Sequence, residues 1–73
     1  MRGLKGLRRA KMLTQGELAE QLGVSLQAIQ YWESGARFPR PAQQRKLCVA
    51  LSIEAEQLLA ALDATAQEVK LAA

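Results

Sequence analysis

At 73 residues, 49% of them hydrophobic, and with a formal net charge of +3, the chain has material for one small domain with a shallow core. It holds no histidine and a single cysteine, Cys48, which excludes an internal disulfide, removes the commonest general base and argues against a zinc site. No apolar run approaches transmembrane length, and the basic start MRGLKGLRRAKML lacks the apolar stretch of a secretory signal, so the expectation is a cytoplasmic, non-enzymatic protein without a membrane partner.

The distribution of charge says more than its sum. Residues 1–46 carry +6 and residues 47–73 carry −3. A basic body joined to an acidic, aliphatic end points to a polyanion partner for one part and a protein partner for the other.

Good helix formers dominate and alternating patterns are absent, so every element is expected to be a short helix. The first covers roughly residues 4–12, with Leu4, Leu7 and Lys11 or Met12 at helical spacing. Thr14-Gln-Gly-Glu17 then fits a capping box, which starts a second helix at Gln15 that runs to Leu22. Gly23 suits the left-handed position that ends it, Val24 inserts in the turn, and Ser25 is the N-cap of a third helix. Two short helices around a glycine-centred turn are a helix-turn-helix. A second glycine, Gly35, closes the third helix after Ser34. Residues 36–40 form a loop, and Pro41 fits the first turn of a fourth helix over about residues 42–51, with Leu47, Cys48 and Leu51 inward. A fifth starts near Glu54 and is expected to bury Leu58, Leu59 and Leu62. Beyond Asp63 the pattern Leu62, Ala66, Val69 fits either a continuation or a tail. The division is therefore a domain over residues 1–62 and a C-terminal helical extension or tail over residues 63–73.

The third helix has two faces. Ile29 and Trp32 point one way with Val24, and they are the expected anchor into the core. Leu26, Gln27, Gln30, Tyr31 and Ser34 fall within an arc of about 140° on the other. That face has no charge and no regular apolar stripe. A solvated face would more usually carry Lys and Glu, and a partner-helix face would carry aliphatic residues at i, i+3 and i+4. Glutamine amides fit a third use: Gln pairs in bidentate fashion with adenine N6/N7 in a major groove, and an aliphatic side chain meets a thymine methyl. Polar filler is the bland alternative for Gln27 and Gln30.

The stretch TQGELAEQLGVSLQAIQYWESGARFP resembles the lambda-repressor-like (Cro/repressor-type) helix-turn-helix domain. The resemblance rests on Thr14, Gln15, Leu18, Ala19, Gly23, Val24, Ser25, Ile29, Trp32, Glu33, Gly35 and Pro39, in register and without gaps. LRRAKML before it and KLCVALSIEAEQLL after it extend the likeness from about Leu4 to Leu59. It implies an all-α, compact five-helix DNA-binding domain with the helix-turn-helix in helices two and three. By the same resemblance Leu26, Gln27 and Tyr31 read bases with Gln30 nearby, while Gln15, Ser25, Ser34, Arg37 and Arg40 meet the DNA backbone. Arg8 and Glu33 stand where relatives form a partly buried ion pair. Three features depart from the pattern. Met12 and Ser52 stand where glycine often follows a helix. Gln44 and Arg45 replace apolar residues. Leu26 and Tyr31 differ from the polar residues many relatives use, so no target sequence transfers.

The remaining groups have bland readings. Cys48 faces the core as an inert thiol. Arg2, Lys5 and Arg9 oppose the macrodipole of the first helix, a misfit that phosphate contact would explain and solubility explains as well. Leu58, Leu62 and Val69 are read as core plus a dimer seam.

The expected function is a small regulator of transcription, of repressor or controller type, in a prokaryote or phage and associated with the nucleoid. It would bind double-stranded DNA as a homodimer on a two-fold operator, with helix 25–34 in the major groove and no room for an effector domain. No metal, cofactor or small-molecule ligand is expected. The rival is a protein-interaction module or antitoxin of the same fold that bridges partners without reading bases.

Overall fold

A computed structural model describes residues 3–72 of the chain, with side chains described through residue 64. Five helices follow one another: α1 Leu4–Ala10, α2 Gln15–Leu22, α3 Leu26–Ser34, α4 Pro41–Leu51 and α5 Ala55–Ala72. No strand occurs among the described residues, and the fold is all-α.

The first four helices have 7 to 11 residues, too few to persist alone in water. Their stability has to come from a shared core. Leu4, Leu18, Ile29, Leu47, Leu51 and Leu58 supply it, one or two from each helix, and none is more than 1% exposed. Burying each contributes roughly 2 kcal/mol. α5 packs against α1, α3 and α4, and α2 packs against α3 and α4, so α3 is gripped from several sides while its outer face stays free.

Local chemistry sets the ends of α2 and α3. The Thr14 hydroxyl accepts from the Glu17 amide (3.0 Å), and the Glu17 carboxylate accepts from the Thr14 amide (2.9 Å), a complete capping box. The Ser25 hydroxyl accepts from the Ala28 amide at the start of α3 (3.1 Å). Gly23 (φ 69°) and Gly35 (φ 80°) end the two helices in the left-handed conformation. Lys46 also donates to the Leu22 carbonyl at 3.4 Å, tying α4 to the end of α2.

Three expectations need correction. α1 stops at Ala10 rather than reaching Met12, whose φ is 57° and whose side chain is 91% exposed. The chain turns back there because the Leu13 amide donates to the Arg8 carbonyl, while the Arg8 guanidinium holds the Leu13 carbonyl (2.6 Å). Leu59 is 44% exposed, because the inward arc of α5 is filled by Leu58, Ala61 and Leu62. Leu58 and Leu62 are 1% and 3% exposed within a single chain, which leaves neither any surface to offer a second copy. The Val69 side chain lies outside the described residues, as does Arg2. Smaller differences are that α4 begins at Pro41 itself, that α5 begins at Ala55, and that Cys48 is only half-buried.

Ser52, like Met12, occupies the left-handed region without being glycine (φ 54°). A Cβ crowds the following carbonyl in that conformation, at a cost of about 1–2 kcal/mol per residue. Gln44 turns its polar end to use by donating to the Pro39 carbonyl (2.9 Å), and Arg45 is exposed. No described helix is long and apolar enough to cross a membrane.

Candidate nucleic-acid interface

The inner face of α3 holds the helix in position. Ile29 and Trp32 are 0% and 4% exposed in the core. Beside them Glu33 collects three donors: Arg8 Nε to Oε2 (2.5 Å), Arg8 Nη2 to Oε1 (3.3 Å) and Gln15 Nε2 to Oε1 (3.0 Å). With the Leu13 carbonyl on Arg8 Nη1, this network ties α1, the turn after it, the first residue of α2 and α3 into one unit. The two charged side chains are 8% and 4% exposed, so each depends on the other to offset its lost hydration.

Gln15 sits at the first turn of α2, where free backbone amides favour an anion. Its side chain is committed through one N–H to Glu33, which fixes the amide plane and leaves the second N–H of that nitrogen for another acceptor. Nearby, Glu17 is held below the usual carboxylate range by the Thr14 amide first and the Thr14 hydroxyl second.

The outer face of α3 is open to solvent. Leu26 is 47% exposed, Gln27 and Gln30 are exposed, and Tyr31 is half-buried. Ser25, Gln27, Tyr31, Arg37, Phe38 and Arg40, with Gln43 of α4, line one open groove between α3 and the loop leading to α4. The groove thus combines amide donors and acceptors with two arginines and no acidic side chain.

The loop folds back onto the end of α3. The Ala36 and Arg37 amides both donate to the Tyr31 carbonyl (3.0 and 3.3 Å), a turn that the left-handed Gly35 permits. The Ser34 hydroxyl donates to the same carbonyl (3.1 Å), so Ser34 is engaged in closing the helix rather than standing free. The Arg37 guanidinium lies over the Tyr31 ring, 4.8 Å from its centre. Arg40 is the exposed N-cap residue of α4, and its amide donates to the Gln43 side chain (2.9 Å).

Two residues of this groove escaped sequence reasoning. Phe38 is 54% exposed at the proline-marked break, where a lone aromatic carries no periodicity to interpret. Gln43 is the third-position partner of a half capping box, a spacing masked because arginine, which has no acceptor, stands at the N-cap.

A family profile described as a helix-turn-helix domain matches residues 2–72. Among curated proteins, the HTH-type transcriptional activator BcrR of Enterococcus faecalis is 43% identical over 56 residues, which is 77% of this chain and 28% of that protein. The uncharacterized HTH-type transcriptional regulator RghRB of Bacillus subtilis (strain 168) is 42% identical over 59 residues, 80% of this chain and 42% of that protein. The chain therefore spans less than half the length of either relative. No solved structure matches it at a comparable level. With two capped helices around Gly23 and the profile covering nearly the whole chain, the protein belongs to the helix-turn-helix DNA-binding domain family.

Proposed function

We propose that this chain is the sequence-reading part of a transcriptional regulator, binding double-stranded DNA with α3 in the major groove. One observation carries the reading: α3 is fixed on its inner side by Ile29, Trp32 and Glu33 while its neutral, amide-bearing outer side lies open beside two arginines. Leu26 and Gln27 belong to its first turn, the part of a recognition helix that reaches base edges. With Gln30 and Tyr31 they form the base-reading set. Gln15, Ser25 and Arg40, with Ser34 at the helix end, make up the backbone-contacting set. The names of the two relatives, an activator and a regulator of transcription, and their bacterial sources support a regulatory role in a prokaryote. No catalytic role is proposed.

The proposed binding form is a homodimer on a two-fold operator with half-sites about 10 bp apart centre to centre. Leu58 and Leu62 belong to the core of one chain, so the proposed self-contact is half-exposed Leu59 together with the extension of residues 63–73. Selection from random DNA, followed by anisotropy titration over a salt series, tests the whole reading. A two-fold symmetric enriched site is the expected result. Weak, salt-sensitive binding with no enrichment would overturn it in favour of a module that bridges proteins. On the enriched site, Arg40→Ala is expected to flatten the log K against log salt slope by about one unit.

A further inference from the structure

Arg37 is placed by two independent contacts to one residue. Its backbone amide donates to the Tyr31 carbonyl and its guanidinium lies 4.8 Å over the Tyr31 ring. Among the described residues no carboxylate pairs with it. A guanidinium carries five N–H donors in its own plane, and a single ring on one side of it meets only part of them. Donors directed away from the ring therefore remain open while the head group is held in place. Tyr31 lies one turn beyond Gln27 on the outward side of α3, and both line the same groove as Arg37.

A held fork matters for one class of acceptor more than another. Phosphate oxygens can be approached from many directions, so a swinging cation meets them about as well. The O6 and N7 acceptors of guanine lie in a single plane in the major groove and match the arginine fork edge-on. Resting on the DNA-reading function proposed above, the geometry points to Arg37 as a specificity-determining residue that reads a guanine. Tyr31 then leaves the base-reading set and becomes the positioning residue that holds the Arg37 head group in place. This moves Arg37 out of the backbone-contacting set and extends the reading face of α3 beyond its last turn. It also accounts for a tyrosine among glutamines: the ring is a shelf for the cation.

The test uses the enriched operator and copies in which each guanine is replaced singly by 7-deazaguanine, which lacks the N7 acceptor. For the wild-type chain, one guanine per half-site is expected to cost about tenfold in affinity on replacement. Arg37→Lys keeps the charge and should leave the salt slope unchanged while abolishing the penalty at that guanine. Tyr31→Leu should reduce the same penalty and Tyr31→Phe should preserve it, a pattern that loss of folding would not produce. If no replacement distinguishes wild type from Arg37→Lys, or if Arg37→Ala lowers the salt slope by about one unit without changing base preference, Arg37 is a phosphate contact and this inference falls alone. If no operator is enriched at all, the inference falls together with the proposed function.

Discussion

The helix-turn-helix and the helices that support it are stabilised in different ways. Between Thr14 and Gly35 every helix end has its own local solution: a capping box, a serine N-cap and two left-handed glycines. Outside it, α1 starts without a side-chain cap and carries no acid in its first turn, α4 starts on an arginine, and two non-glycine residues, Met12 and Ser52, occupy left-handed turns. The helix-turn-helix is specified residue by residue, while the scaffold tolerates local cost because the shared core outweighs it. A DNA reader gains from this division. A base-reading helix has to be placed accurately, whereas its supports need only be packed.

The largest effect is expected at the joint between the two regions. Arg8→Ala leaves Glu33 buried without its charge partner and should cost about 3–5 kcal/mol in urea unfolding, enough to unfold much of a domain this small. A loss below about 1 kcal/mol would mean that apolar packing alone joins the regions. Gln27→Ala comes next and touches function only. It should cost about 1–3 kcal/mol on the best operator and relax preference at one position, with the urea midpoint unchanged. Equal loss on all sequences would count against base reading.

Helix ends sharpen the contrast by giving opposite signs. Gly23→Ala meets no neighbour within 4 Å, so its cost of about 1 kcal/mol is conformational alone. Ser52→Gly should stabilise by about the same amount, since it removes the Cβ from a left-handed residue. Thermal melts of the two variants that moved in the same direction would refute the distinction. The smallest effect belongs to Glu17. Its carboxyl is held below its ordinary value of 4.5, so its contribution to stability is present above that pH and is lost as pH falls through the lower folded-state value. Glu17→Gln should therefore cost a little stability at neutrality, and that small cost should disappear as pH falls below 4.5. A difference that grows as pH falls would contradict this sign.

Much of the helix-turn-helix was legible because its signals span four residues or fewer. Thr14 and Glu17 answer each other directly, and Gly23, Ser25 and Gly35 act on the turn in which they stand. The scaffold was less legible for the same reason. Periodicity offered Leu58, Leu59 and Leu62 as equals, yet only the neighbours of α5 decide that Leu59 faces outward. The length of α1 depended on Arg8 capturing the Leu13 carbonyl, a contact that helical spacing does not encode.

By itself the sequence determined the helical class, the two capped helices and which residues occupy the outer face of α3, because helix propensity, capping and a 3.6-residue period act over short distances. Only the tertiary structure decided what surrounds that face. It joined Glu33 to Arg8 across 25 positions and turned the Gln15 amide toward Glu33. It folded Arg37 back over Tyr31 and spent Leu58 and Leu62 on the core of a single chain. These outcomes depend on where remote side chains meet in space, which the spacing of residues along one helix does not contain.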